Sequence, residues 1–430
     1  MFWDRPIETI APAELRALQQ QRLTATVARC QARVPFYRDR LAEAGVAPDS
    51  VASLDDIRRL PFTTNADLRA SYPDGLLAVS RSEVTRLHTS SGTTGKPKAI
   101  FFSRGDVDRA ADLIARCLVM TGVTEADVLQ NMMTYGLFTG ALVMQYGAEK
   151  VGALVIPAGP GNSERQLMLM RDFHTTLLHV TPSYALYFAD FLDQHGVDPR
   201  RELCLRRAMI GAEPHTEETR RKIQDALGIK AFNSYGLSEM NGPGVAFECE
   251  AQAGMHLWED QFLAEIVDPA TGEPLPDGTP GELVLTTLTR EAMPLLRYRT
   301  RDITALMPEP CACGRTHRRL QRIMGRADDM LIVRGVNLYP QQIERVLMGF
   351  PGLGRNYVIQ LKGLDELTVR VELSEAGFDG QVERLLRLQQ EVTERVRAEI
   401  LVKPRMELVP PGTLPVSEGK ARRVIDERVL

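Results

Sequence analysis

A chain of 430 residues exceeds one typical hydrophobic core, so two or more domains are expected. Its formal net charge of -4 gives no basic footprint for nucleic acid, and 44% hydrophobic with 25% charged residues is the balance of an ordinary soluble enzyme. No apolar run approaches the ~20 residues of a membrane span, and the opening MFWDRPIETI lacks the blocks of a signal peptide, which implies a cytoplasmic protein. In chain order, residues 12–45 read as helices broken at Pro35. The stretches VTRLH and KAIFF read as strands around residues 90–98. From about 105 to 235, helical runs such as RGDVDRAADLIARCLVMTG alternate with the strand-like GALVIPA and TTLLHVTP, the pattern of a layered α/β sheet. Between 243 and 325 the texture turns to strands and Asp-Gly or Pro-Gly turns, a β-rich subdomain. After Gly325 follow a strand MLIVRG, a helix from Tyr339, an alternating strand ELTVRVEL, and a helix with Leu385, Leu386, Val392, Val396 and Ile400 at helical spacing. That is a small α+β domain.

The stretch HTSSGTTGKPKAIFFS, His88 to Ser103, offers six Ser, Thr and Gly residues in a row, Ser90, Ser91, Gly92, Thr93, Thr94 and Gly95, with Lys96 and Lys98 adding positive charge. Hydroxyls and close backbone approach suit anionic oxygens. It is not a Walker A loop, because Lys96 is followed by Pro97, and strands rather than a strand and a helix flank it. A phosphate clamp and a plain solvated turn both remain open from this stretch alone. Four further stretches follow in order: GAEP at Gly211 to Pro214, NSYGLSE at Asn233 to Glu239, YRTRD at Tyr298 to Asp302, and GRADDMLIVRGVNLYPQQIE from Gly325 to Glu344. LPVSEGKARRVID, centred on Lys420, lies near the end.

This ordered set resembles the adenylate-forming superfamily of acyl-CoA synthetases, luciferases and adenylation domains over nearly the whole chain. Within it, YGLFTG at Tyr135 to Gly140, QYGAEKVGA and the SEGKARRVID ending look most like phenylacetate-CoA ligases. The resemblance implies an α/β adenylation domain over 1–327 and a small mobile lid over 328–430. It implies that ATP and an aryl carboxylate such as phenylacetate form an acyl-adenylate and pyrophosphate, and that CoA then displaces AMP. A non-CoA acceptor and a non-catalytic nucleotide-binding protein are the competing readings. By the same resemblance the 90–96 loop holds the β and γ phosphates. Gly211, Ala212, Glu213, Pro214, Asn233, Ser234, Tyr235, Gly236 and Ser238 line the adenylate, Asp302 accepts from the ribose hydroxyls, and Arg326 contacts phosphate. Glu239 holds Mg²⁺ as a hard oxygen ligand. Lys420 stabilises the charge that builds up in adenylation, Asp328 is the hinge, and Gly335 leaves a path for the CoA thiol. Tyr135, Phe138, Gly140, Tyr184 and Ala212 surround the acyl group. The relatives are commonly dimers.

One feature lies outside adenylation. ECEAQAGMH offers Cys249 and His256, and PCACGRTH offers Cys311, Cys313 and His317. Three thiols and an imidazole suit a closed tetrahedral Zn²⁺ site, with His256 as the fourth ligand and His317 its substitute. Cys30, Cys117 and Cys204 read as core thiols.

Overall fold

The structure is a computed structural model and describes all residues except 48–49, 90–96, 335, 363–365, 378–380, 416–422 and 429–430. The expected phosphate loop Ser90–Lys96, Gly335 and Lys420 therefore lie outside the described residues. The chain divides into two compact units, one of Met1–Gly159 with Phe232–Ile323, the other of Pro160–Ala231 with Met324–Leu430.

In the first unit, a helix Pro12–Arg33 begins on proline, which its missing N–H permits. It ends where Pro35 disfavours helical backbone at Val34, and a second helix, Pro35–Glu43, starts at once. Strands Val84–Thr89 and Ala99–Ser103 pair antiparallel, with His88 opposite Ile100, and so bracket the 90–96 loop. Ser103 then caps the helix Arg104–Met120: its hydroxyl accepts from the Asp106 N–H at 3.0 Å, and the Asp106 carboxylate accepts from the Ser103 N–H at 3.1 Å. Asp106 also accepts from the N–H groups of Glu291 and Ala292. Burial raises its pKa, but the nearby Arg290 charge and these backbone donors outweigh it and hold the carboxyl below its ordinary value. Val128–Asn131, the helix Thr139–Val151 and Leu154–Ile156 make a parallel βαβ step.

The β-rich segment forms as its turn chemistry indicates. Lys230–Leu237, Gly242–Glu248 and Met255–Leu257 run antiparallel, followed by the short Arg319–Leu320 and Leu306–Met307. Phe262–Val267, Gly281–Thr287 and Tyr298–Thr304 make a second antiparallel sheet, with Ala264 opposite Leu285 and Val284 opposite Arg299.

In the second unit, Leu177–Val180 and Arg207–Gly211 are parallel strands, and the helix Pro182–Gln194 lies between them in sequence. Its C-terminal part is a four-stranded sheet in the order Arg405–Val409, Glu366–Leu373, Leu353–Lys362, Val424–Asp426. The helices Pro340–Met348 and Val382–Ile400 share its core, which includes Ile343, Leu347, Ile359, Val369, Val371, Val392 and Val396. Two expectations are corrected. Leu386 is exposed, so the buried stripe of Val382–Ile400 is Val392, Val396 and Ile400. Cys204 is exposed too, unlike the buried Cys30 and Cys117: in the extended Leu203–Cys204 pair Leu203 takes the inward position and turns the thiol outward.

Candidate active site and metal centre

In the first unit the candidate catalytic groups sit on two neighbouring stretches of backbone. The strand Lys230–Leu237 carries Asn233, Ser234, Tyr235 and Gly236, and a one-turn helix, Ser238–Met240, continues it with Ser238 and Glu239. The strand Tyr298–Thr304 carries Tyr298 and Asp302. Two rungs join them. The Tyr235 hydroxyl donates to Asp302 Oδ2 at 2.6 Å, and the Tyr298 hydroxyl donates to Glu239 Oε1 at 3.2 Å. Lys98, two residues after the 90–96 stretch, also donates to Glu239 Oε1 in a short ion pair. Glu239, Asp302, Tyr235 and Tyr298 are all buried, where polar groups need hydrogen-bond partners. Lys98 is the residue whose place the sequence left least defined: it was counted with the loop, and it stands on the Glu239 carboxylate.

The turn between these groups depends on glycine. A Cβ on Gly236 would lie 1.8 Å from the Gly242 carbonyl oxygen and 2.6 Å from Pro243 Cα, both backbone of the paired strand. The pairing shifts register between Tyr235 and Leu237 at this point, and Asn241 closes the turn with a φ of 79°. The bulge brings Tyr235 and Glu239 to the partners described above. Asn233 N–H donates to Glu248 Oε2 at 2.8 Å, which fixes the start of the segment.

The acyl-site candidates of this unit lie together along the chain. Tyr135 is half-buried and accepts from Asn131 Nδ2 at 2.9 Å, and burial pushes its hydroxyl up to about 12. Phe138 is 39% exposed at the start of the helix that carries Gly140, beside which a side chain would meet open space. In the second unit, Gly211 ends a buried strand, Ala212 has a φ of 67°, and Glu213 accepts from the Ser183 N–H at 2.6 Å; Pro214 is exposed. Tyr184, from the same helix as Ser183, is buried with its hydroxyl 3.2 Å from Ser163 Oγ. It borders a cavity of about 370 Å³ with Tyr187, Phe191 and Asn162. Arg326 and Asp328 form a bidentate pair at 2.9 and 3.0 Å, so both expected functional groups of that turn engage each other.

Cys249, His256, Cys311 and Cys313 converge in the first unit, their donor atoms all within 4.8 Å of one another. Cys249 Sγ is 3.6 Å from Cys311 Sγ, and Cys313 Sγ is 3.2 Å from His256 Nε2. A tetrahedral ion with metal–sulfur bonds of about 2.3 Å and metal–nitrogen bonds of about 2.0 Å spaces such donors at roughly 3.8 and 3.5 Å. The set fits. The hydrogen bond to Cys249, followed by that to His256, holds the Cys313 thiol far below its ordinary value. His256 Nδ1 donates to the His317 carbonyl at 3.3 Å and so turns Nε2 inward. His317 does not join the cluster: its Nδ1 accepts from the Glu259 N–H at 3.0 Å and its Nε2 donates to the Ile7 carbonyl at 2.9 Å. Around it, Arg315 pairs with the buried Glu8 at 2.7 Å, and Thr316 bonds to Glu8 and Ile10, which ties residues 1–10 to this knuckle.

Two buried carboxylates, each held by a tyrosine hydroxyl and one of them also by Lys98, form a polar site in the first unit. Comparison with known proteins defines it further. The profile of AMP-binding enzymes matches residues 11–288, and that of the AMP-binding enzyme C-terminal domain matches residues 335–428. The phenylacetate-coenzyme A ligase of Thermus thermophilus is 48% identical over all of both chains, and that of Escherichia coli is 44% identical over 98% of this chain and 97% of its own. The crystal structure of 2-hydroxyisobutyryl-CoA ligase in the postadenylation state is similar at a TM-score of 0.94 and 30% identity, covering 99% of this chain and 92% of that one. The chain belongs to the phenylacetate-CoA ligase family of adenylate-forming AMP-binding enzymes. No helix among the described residues is long and apolar enough to cross a membrane.

Proposed function

We propose that the protein joins an aryl carboxylate such as phenylacetate to CoA in two steps. A carboxylate oxygen attacks the α phosphorus of ATP and pyrophosphate leaves; the CoA thiolate then attacks the acyl carbon and AMP leaves. The observation that carries this reading is the double rung Tyr235–Asp302 and Tyr298–Glu239–Lys98, which holds two buried carboxylates in place. Asp302 offers its carboxylate to the ribose hydroxyls. Glu239 is the residue that would hold Mg²⁺, a hard cation for a hard oxygen, and its charge would neutralise phosphate oxygens. Lys98 orients Glu239 through their ion pair. Lys420 supplies positive charge to the crowded α phosphate during adenylation. Gly211, Ala212, Glu213, Pro214, Asn233 and Ser238 line the adenylate, and Arg326 contacts phosphate after release from Asp328. Tyr135, Phe138 and Gly140 face the acyl group.

Residues 328–430 act as a lid that turns about Asp328, presenting Lys420 for adenylation and the Gly335 strand for thioester formation. The four-donor cluster holds a structural Zn²⁺, because four protein ligands leave no open position for substrate. The enzyme works in the cytoplasm, as a homodimer. The test is a panel of acids assayed for AMP and pyrophosphate release with and without CoA. Phenylacetate and several aryl acids should turn over with CoA, since one missing apolar group costs such a pocket only ~1–3 kcal/mol. Equal activity with acetate would overturn the aryl pocket. Turnover with an amine or hydroxyl acceptor but not with CoA would overturn the thiol.

A further inference from the structure

Lys98 and Glu239 are 141 residues apart in the chain, and one further side chain ties together the backbones that carry them. Arg290 lies in the connection between the strands Gly281–Thr287 and Tyr298–Thr304, and it is buried. Its Nη2 donates at 2.7 Å to the carbonyl of Phe101, in the strand Ala99–Ser103 that follows Lys98 directly. Its Nη1 donates in a short bond to Oδ1 of Asn241, which is also buried and ends the one-turn helix carrying Glu239. The guanidinium thus spans two acceptors, one three residues after Lys98 and the other two residues after Glu239. Arginine offers these two donors in a fixed planar fork; a lysine would put a single nitrogen in their place.

The base of this strap is itself fixed. The next two residues, Glu291 and Ala292, donate their N–H groups to the Asp106 carboxylate at 2.8 and 2.9 Å. The Glu291 side chain accepts from the Ser103 hydroxyl at 2.7 Å and pairs with Arg109 at 2.7 Å. The Arg290 guanidinium lies over the Phe102 ring at 4.0 Å, a cation–π contact that restricts how the fork can turn. Burial lowers the Arg290 pKa, and the Asp106 charge opposes that. At the far end Asn241 has a φ of 79°, a left-handed conformation that asparagine adopts more readily than most residues. A guanidinium only donates, so the amide oxygen of Asn241 must face Arg290. The strand behind Lys98 and the turn behind Glu239 are therefore held to one rigid group, whose own backbone is anchored at the start of the helix Arg104–Met120.

We propose that Arg290 is a positioning residue for the Lys98–Glu239 pair: by holding Phe101 and Asn241 to one guanidinium it sets where the Glu239 carboxylate stands. The proposal rests on the reading that Glu239 serves the metal-bound phosphates of ATP. Its test is a double-mutant cycle on the full chain, read as calorimetric binding of Mg·ATP and, separately, of AMP. Arg290→Lys keeps the charge and loses the fork, so Mg·ATP should bind about tenfold more weakly, a loss on the scale expected when a working group is misplaced. AMP carries no β or γ phosphate, and its Kd should stay within about twofold of wild type. In a Glu239→Gln background Arg290→Lys should weaken Mg·ATP no further, because its effect passes through that carboxylate.

A multiplicative loss in that background, equal weakening of AMP and Mg·ATP, or wild-type affinity for Mg·ATP in the single variant would each overturn the positioning role while the Glu239 assignment stands. Wild-type affinity for Mg·ATP in Glu239→Gln alone would remove that assignment and the proposal with it, so the two failures are told apart. If Arg290→Lys does not fold, Asn241→Gly serves. Glycine suits the left-handed turn, the substitution removes the acceptor and leaves the Arg290–Phe101 bond, and the same pattern of losses is required of it.

Discussion

Gly236→Ala is the sharpest probe of the double rung. The ideal methyl would lie 1.8 Å from the Gly242 oxygen, more than an ångström inside the closest contact real Cβ atoms make, and the obstacle is backbone rather than a side chain that can turn away. The two strands must separate at the bulge. Forcing extra atoms into packed structure typically costs ~1–3 kcal/mol, and a backbone clash of this depth belongs at or above the upper end, about 3 kcal/mol. For a domain of 150–250 residues, each kcal/mol lowers Tm by roughly 2–4 °C, so a fall of about 6–12 °C is expected by calorimetry. Function should suffer even below Tm, because Glu239 follows three residues after the methyl and depends on the same turn to meet Lys98 and Tyr298. Pyrophosphate exchange at 20 °C should fall by about tenfold or more. A variant with wild-type Tm and wild-type exchange would show that the bulge does not set the position of Glu239.

Tyr235→Phe removes one donor to a buried carboxylate, a bond worth about 1.5–3 kcal/mol, so the KM for ATP should rise about tenfold with kcat little changed; an unaltered KM would separate Asp302 from nucleotide binding. Metal analysis of purified protein should find about one zinc per chain, and Cys311→Ser should lower both zinc content and Tm; zinc-free wild-type protein would sink the structural site. Burial lowers the pKa of His88 from 6.5 to about 4. Below pH 6.5 the unfolded chain takes up a proton that the folded state refuses until about pH 4, so stability present above 6.5 is lost as pH falls through that window, by about 3 kcal/mol in all. His88→Gln should flatten this dependence in urea titrations between pH 7 and 5, and an unchanged slope would show that other groups dominate.

The elements with strong periodicity or punctuation were legible in the sequence. The helices of residues 12–45 break at Pro35 as read, and the Asp-Gly and Pro-Gly turns of the β-rich segment divide real strands. What was not legible depends on contacts between residues far apart in the chain. The sequence put His256 ahead of His317 and the cluster contains His256, but what excludes His317 is distant: Glu259 and Ile7 occupy both its ring nitrogens. Lys98 is one cation in a cationic loop until Glu239, 141 positions away, is placed beside it. Cys204 misled because an apolar neighbourhood in sequence does not say which of two adjacent residues faces inward.

The attachment of residues 1–10 to the cysteine knuckle bears on how the chain is made. Glu8, Ile7 and Ile10 find their distant partners at Arg315, His317 and Thr316, some three hundred residues later. At a synthesis rate of about 5–20 residues per second, the leading segment emerges and waits on the order of 15–60 s for its anchor. The ribosome therefore delivers the opening residues first, but they lock into place among the last of this unit, together with the metal ligands.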